Sequence, residues 1–134
     1  NCIIGGAHHP IEWVSTSPVF HSGKNIMRKN FYKHEFNPSK ETSIGHDVWI
    51  GNNCTIRSGV NIGTGSVLGM GSVLTKDVGE YEIWAGNPAH LIRRRFSDDT
   101  ITKLIDSEWW NWDDDAILER AVYFNNVEQF LSSK

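Results

Sequence analysis

The chain has little of what marks disulfide scaffolds, membrane spans and nucleic-acid-binding proteins. Its 134 residues include two cysteines, Cys2 and Cys54, too few for a disulfide framework or a four-cysteine zinc site. Scarce cysteine is typical of a reducing compartment, and we expect a cytoplasmic location. No apolar run approaches the roughly 18 residues of a membrane helix. The net charge of −3 argues against nucleic acid as the main partner.

What the sequence does contain is an internal repeat with a period of six. Aliphatic residues occupy every sixth position across this block, and four of them precede a glycine: Ile44, Ile50, Ile56, Ile62, Leu68 and Leu74. Small or β-branched residues follow each of them four positions later. A period of six fits neither a helix nor an alternating strand, and it is typical of solenoids.

This period predicts a triangular β-solenoid with three hexapeptides in each coil. The aliphatic side chains point inward and stack on their equivalents in the next coil, while glycine and asparagine accommodate turns with unusual backbone dihedrals. Residues 44–79 supply two coils, and the opening segment Ile4-Gly5-Gly6-Ala7-His8 fits one further hexapeptide. Since the sequence opens inside this pattern at Asn1, we expect earlier coils in the natural protein.

Two segments depart from the repeat. Residues 10–43 hold three of the four prolines and have no periodicity, which predicts a long excursion loop. From Ser97 onward a capping side chain, two acids and a helical apolar spacing that includes Trp112 predict a helix, and a second helix begins near Asp113. We therefore predict a solenoid domain over residues 1–96 and an α-helical extension over residues 97–134.

Several motifs resemble the hexapeptide-repeat acyltransferases, in the branch of chloramphenicol, streptogramin and polysaccharide O-acetyltransferases. They are Ile44-Gly-His-Asp-Val-Trp-Ile-Gly, Gly71-Ser-Val-Leu-Thr-Lys-Asp-Val, Ala85-Gly-Asn-Pro-Ala and His9-Pro-Ile-Glu-Trp-Val-Ser-Thr-Ser-Pro. The resemblance implies a left-handed parallel β-helix and a homotrimer. It also implies acyl transfer from acyl-CoA at clefts between subunits.

Acetyl transfer to a hydroxyl needs a base, and a histidine suits this role at neutral pH. His8 and His9 lie where the solenoid meets the loop. The resemblance places the base at this junction and favours His9, with His8 as the alternative. Either Glu12 or a backbone carbonyl could hold the other ring nitrogen of the base. Trp13 could form a wall of the acceptor site.

The resemblance also indicates which residues line the groove for acetyl-CoA: Asn52, Met70, Gly71, Thr75, Lys76 and Arg93. Lys76 and the run Arg93–Arg95 are the candidate cations for its phosphates. His90 stands where some members of that family carry arginine.

We predict an acetyl-CoA-dependent O-acetyltransferase acting on a hydroxyl of a sugar or surface glycan. The alternative acceptor is a hydroxylated antibiotic. A metal enzyme of the γ-class carbonic anhydrase type would need three converging histidines, and only His46 lies within the main repeat, so we expect no metal. A non-catalytic solenoid would show no CoA binding and no dependence on His9.

Overall fold

The computed structural model describes residues 1–133. Nine strands come first: β1 (Ile3–Gly5), β2 (Ser43–Ile44), β3 (Trp49–Ile50), β4 (Thr55–Arg57), β5 (Asn61–Ile62), β6 (Val67–Leu68), β7 (Val73–Leu74), β8 (Glu82–Gly86) and β9 (Ala89–Arg94). Three α-helices follow: α1 (Asp98–Ser107), α2 (Asp114–Arg120) and α3 (Val127–Ser132). Short 3-10 turns occupy Pro18–Phe20, Trp109–Asn111 and Ala121–Tyr123. The chain is therefore a strand-rich repeat followed by a helical segment.

The strands form three sheets, which the chain visits in rotation. The first face is β2-β5, the second face is β3-β6-β8-β9, and the third face is β1-β4-β7. Strands within a face pair in parallel, except for the antiparallel pair of β8 and β9. Thr55 pairs with Val73 at a separation of 18 residues, which equals three hexapeptides. The six-residue period thus sets the register, as predicted.

Three corners join these faces, and we name them by the residues that turn them. The first corner (45–48, 63–66 and 79–81) links the first and second faces. The second corner (51–54 and 69–72) links the second and third faces. The third corner (6–9, 58–60 and 75–77) links the third face back to the first. The positions of these corners decide which side chains lie together.

Aliphatic residues at the repeat positions form the core. Ile56, Leu68 and Leu74 are buried completely or almost so. Ile44 is 42% exposed even though it pairs with Ile62, because no coil within residues 1–133 covers its other side. After Leu74 the register shortens, and Ile62 bridges Val78 at a separation of 16 residues. The 18-residue coil therefore ends where the hexapeptide pattern ends.

Glycine after the aliphatic position has a different role from the one we predicted. Gly45, Gly51 and Gly63 do not have positive φ angles. A Cβ at Gly51 would lie 2.5 Å from the backbone nitrogen of Met70 in the next coil, and Gly45 and Gly63 are similarly crowded by backbone. These glycines are required because the next coil passes too close for a side chain. The dihedral explanation holds at other positions, such as Gly71 with φ of 70°.

The helical segment packs on itself and on the end of the solenoid. Ile101, Leu104 and Phe130 form a buried cluster with Tyr81. Ser97 and Asp113 cap α1 and α2 by accepting hydrogen bonds from Thr100 N and Ala116 N, as predicted. The predicted continuation of α1 to Trp112 is wrong, because Glu108 adopts a left-handed conformation with φ of 42° and ends the helix.

Candidate functional site

A cavity of about 710 Å³ lies at the third corner, where the excursion loop leaves the solenoid. His8, His9, Glu12 and Trp13 line it together with Ser58 of the adjacent coil. The repeat places one rigid wall, and the loop supplies the other. The structure therefore brings together the four residues that the sequence assigned to the base and the acceptor site.

His9 presents a defined tautomer to this cavity. Its Nδ1 lies 2.9 Å from the backbone carbonyl oxygen of Thr16. Because a carbonyl oxygen only accepts, Nδ1 must donate, and the neutral ring then carries its lone pair on Nε2. The side chain is exposed, so Nε2 is accessible from the cavity. A backbone group thus fixes the orientation of the ring and leaves Nε2 able to accept a proton.

His8 is fixed in a different way. Its Nε2 donates to the carbonyl oxygen of Ser58 at 2.9 Å, and the Ser58 hydroxyl donates to the Gly6 carbonyl at 2.7 Å. Its backbone N–H donates to the carbonyl oxygen of Pro38 at 2.7 Å. His8 therefore ties the start of the loop both to the coil and to the end of the loop. This network directs Nε2 of His8 to the coil backbone.

Trp13 is the centre of an aromatic cluster inside the loop. Its ring lies edge-on to His34 at 5.3 Å and to Phe36 at 5.7 Å between ring centroids. Glu12 is exposed, and Nδ1 of His9 donates its hydrogen bond to the Thr16 carbonyl oxygen. The sequence left open whether Glu12 or a backbone carbonyl holds the second ring nitrogen of His9. In the structure a backbone carbonyl lies at this nitrogen.

A second cavity, of about 530 Å³, adjoins the first through Glu12 and Trp13. Its walls are mostly apolar and include Val14, Phe20 and His34. The space beside His9 therefore continues into an apolar recess formed by the loop.

The residues predicted to bind acetyl-CoA lie at three places in the fold: two groups at different corners, and one residue apart from both. Asn52, Met70 and Gly71 lie together at the second corner, where Gly71 N donates to the Asn52 carbonyl at 2.8 Å. Thr75 and Lys76 lie at the third corner, the corner of His8 and His9. The third face separates these two groups, so one extended molecule would have to cross it.

The separate residue is Arg93, in β9. Within residues 1–133 its side chain contacts no carboxylate, and neither does that of Lys76. Arg94, in contrast, pairs with Asp98 and Glu82, and Arg95 lies beside Asp47. Of the arginine run, Arg93 is therefore the cation that remains available for a phosphate. His90 is exposed in the same strand.

Two residues of the site were missed at the level of sequence. Thr16 contributes only a main-chain carbonyl, which has no sequence signal. Ser58 occupies an ordinary corner position of the repeat, and its carbonyl matters because the loop begins one coil away. Within residues 1–133 there is no cluster of three metal-ligating side chains, and no helix there is long and apolar enough to cross a membrane.

Known proteins share both the repeat and the site region. Residues 41–76 match the family model described as bacterial transferase hexapeptide (six repeats). A probable macrolide acetyltransferase of Lysinibacillus sphaericus is 40% identical over 132 residues, which cover 97% of this chain and 69% of that protein. The chain belongs to the hexapeptide-repeat acetyltransferases.

Further acetyltransferases are similar to this chain in sequence or in structure. A chloramphenicol acetyltransferase of Agrobacterium fabrum is 42% identical over 81% of this chain, which spans about half (51%) of that relative. A maltose O-acetyltransferase from Clostridium difficile superposes with a TM-score of 0.50 and 30% identity, over 72% of this chain and 43% of that one. A hexapeptide-repeat acetyltransferase from Vibrio cholerae, complexed with acetyl-CoA, superposes with a TM-score of 0.51 and 27% identity. The match covers 72% of this chain and 44% of that one.

Proposed function

We propose that this chain carries the active site of an acetyl-CoA-dependent O-acetyltransferase. The observation that carries the proposal is the contact between His9 Nδ1 and the Thr16 carbonyl at 2.9 Å. It leaves Nε2 of the neutral ring as a proton acceptor in a cavity of about 710 Å³. The membership of the chain in a family of acetyltransferases supports the same reaction.

In the proposed mechanism His9 removes the proton from the acceptor hydroxyl as its oxygen attacks the thioester carbon of acetyl-CoA. The new C–O bond forms as the C–S bond breaks, and the proton taken up by Nε2 passes to the departing CoA thiolate. The Thr16 carbonyl stabilises the imidazolium that forms in between. Both substrates react directly, so no residue forms a covalent intermediate.

We propose that His8 positions this base and does not take part in the chemistry. Its Nε2 is engaged by Ser58, and its backbone by Pro38. Loss of the His8 side chain should therefore loosen the loop, whereas loss of the His9 ring should remove the base.

We propose that acetyl-CoA is held by Asn52, Met70, Gly71, Thr75, Lys76 and Arg93. Lys76 and Arg93 are the phosphate-binding cations, because neither is neutralised by a carboxylate within the described residues. A relative solved with acetyl-CoA supports this donor.

For the acceptor we propose a hydroxylated antibiotic, with its apolar body in the recess beside Trp13. The mostly apolar walls of that recess support this choice, and so do relatives named chloramphenicol and macrolide acetyltransferases. A sugar or glycan, the acceptor favoured by the sequence, stays the second candidate, supported by the likeness to a maltose O-acetyltransferase. Trp13 could stack on either acceptor.

The test measures release of free CoA from acetyl-CoA with chloramphenicol, a macrolide and maltose in parallel. We expect His9→Ala to lower kcat by about 10²–10⁴-fold while the Kd for acetyl-CoA is unchanged. The control is His46→Ala, a histidine at the first corner, which should retain activity. Turnover by His9→Ala at the wild-type rate would overturn the assignment of the base.

Calorimetric titration with acetyl-CoA tests the donor site. Saturable binding that Lys76→Ala and Arg93→Ala each weaken is the expected result. A folded protein that does not bind acetyl-CoA would instead indicate a non-catalytic solenoid.

We further propose that the coil is left-handed, that the active unit is a homotrimer, and that the protein is cytoplasmic. The handedness and the trimer rest on family resemblance, and the location rests on scarce cysteine. Light scattering after size-exclusion chromatography would test the trimer, and a mass of one chain would overturn it.

A further inference from the structure

A cavity of about 680 Å³ lies at the first corner, between the solenoid and the helical segment. Tyr81, Arg95 and Phe96 line it from the end of the solenoid, and Trp109 and Phe130 from the helical segment. Its volume is within the range of small-molecule sites. His9 lies at the third corner and Asn52 at the second, and Arg93 does not line this cavity, so the cavity is separate from the proposed active site.

Tyr81 contributes an unsatisfied polar group to this cavity. The residue is 2% exposed, and its hydroxyl donates to no acceptor within residues 1–133. Burial raises the pKa of the Tyr81 phenol, although the Trp109 N–H directed at the phenol oxygen and the charge of Arg95 oppose the shift. The phenol therefore remains protonated and can donate a hydrogen bond. An unpaired buried donor is costly, and a ligand that accepts from it would remove the cost.

Arg95 is held in a fixed orientation beside Tyr81. Its Nη1 donates to the carbonyl oxygen of Gly65 at 2.6 Å. Its guanidinium carbon lies 5.2 Å from the ring centroids of both Tyr81 and Phe96. The nearest carboxylate oxygen, of Asp47, is 3.9 Å away, which is an ion pair too long for a hydrogen bond. A guanidinium with a fixed plane and free N–H groups matches the geometry of a carboxylate.

We propose that this cavity binds a small organic acid with an apolar body. Its carboxylate accepts hydrogen bonds from Arg95 and from the Tyr81 hydroxyl, after a small local adjustment that uncovers that hydroxyl. Its apolar part packs among the aromatic side chains contributed by the helical segment. Two donors and an aromatic lining together favour this class of ligand.

Two carboxylates near the rim, those of Asp47 and Glu128, oppose this ligand and favour an organic amine. Both residues are exposed, so water and salt weaken their effect. Tyr81 is buried, and only 30% of the Arg95 side chain is exposed, so a hydrogen bond to these donors is less screened. The donors therefore outweigh the carboxylates in the choice of ligand.

The experiment compares three probes of similar size: phenylacetate, phenethyl alcohol and phenethylamine. Binding to the full chain is followed by ligand-observed NMR and calorimetry. We expect phenylacetate to bind about tenfold more tightly than the alcohol, since it adds charge-assisted hydrogen bonds. Tighter binding of the amine, or no binding of phenylacetate, would overturn the proposal.

Asp47→Asn should raise the affinity for an organic acid and lower the affinity for an organic amine. Asp47 has φ of 50°, a conformation that asparagine also tolerates, so the variant should fold. Removal of its charge should tighten phenylacetate binding about twofold to fivefold, because one competing carboxylate is lost. A weaker affinity for phenylacetate in this variant would contradict the assigned orientation.

Tyr81→Phe should weaken phenylacetate binding about fivefold or more, because the donor is lost. The matched control is Tyr123→Phe, which changes a tyrosine of the same helical cluster that does not line the cavity and should leave the affinity unchanged. Thermal unfolding of each variant verifies the fold. Saturating acetyl-CoA should not displace phenylacetate, and competition between them would assign the cavity to the donor site and overturn the proposal.

Discussion

Gly51→Ala should destabilise the protein, although alanine normally stabilises a chain at such a position. Gly51 does not have a positive φ angle, so the backbone itself would accept alanine. The new Cβ would lie 2.5 Å from Met70 N and 2.7 Å from Met70 Cα. Ordinary contact starts near 3.4 Å, so the coils must separate by about 0.9 Å at this corner.

The cost follows from the hydrogen bonds that flank the contact. Gly51 N donates to the Leu68 carbonyl and Gly71 N to the Asn52 carbonyl, each at 2.8 Å. A separation of this size would break both bonds, at about 1 kcal/mol each. The lower entropy of the unfolded chain with alanine returns about 0.5 kcal/mol. We therefore expect a net loss of about 1.5 kcal/mol and a fall in Tm of about 5 °C.

Gly69→Ala is the control, because it tests a similar glycine with a milder steric clash. Its Cβ would meet the Ala85 side chain at 3.0 Å and no backbone atom closer than 3.6 Å, so it should cost less than Gly51→Ala. Calorimetric melting of both variants at one protein concentration measures the difference. If Gly51→Ala melts at or above the wild-type temperature, close approach of the coils does not explain this glycine.

Four further outcomes follow from the fold. Leu74→Ala, at a position with no exposed surface, should lower the free energy of unfolding in urea by about 2–5 kcal/mol. Leu118→Ala, at a residue 76% exposed, should change it by less than about 0.5 kcal/mol. Ser97→Ala removes the cap of α1 and should cost about 1 kcal/mol, visible as a lower Tm. Because burial raises the pKa of Tyr81, the unfolded chain loses this proton first as the pH rises, so stability should fall above about pH 10. That alkaline loss should be smaller in Tyr81→Phe, and an identical pH profile in unfolding experiments would contradict the assignment.

The sequence predicts the repeat better than it predicts the site. Six aliphatic residues in one register are enough to give the faces and the stacking of Ile56 on Leu74, because an inward position recurs only at that period. The caps at Ser97 and Asp113 are local signals and were predicted for the same reason. Trp112 was misplaced because a left-handed residue at Glu108 is invisible to periodicity.

The site depends on contacts between residues far apart in sequence, which no pattern encodes. The pairing of His8 with Ser58 joins residues 50 positions apart. The roles of His8 and His9 could not be separated from sequence, because the difference lies in two main-chain carbonyl groups. The cavity at the first corner was not anticipated either, since it forms only when the helical segment folds back over Tyr81.

The hydrogen bond between His8 N and the Pro38 carbonyl, at 2.7 Å, closes the base of the excursion loop. Ile44 then resumes the hexapeptide register beyond the loop. Changes in loop length or composition need not disturb the coils, because the closure fixes where the chain leaves and re-enters. The loop can therefore vary in evolution while the coils keep their sequence. Under the proposed function, such variation changes the acceptor surface beside His9 without changing the coils that hold acetyl-CoA.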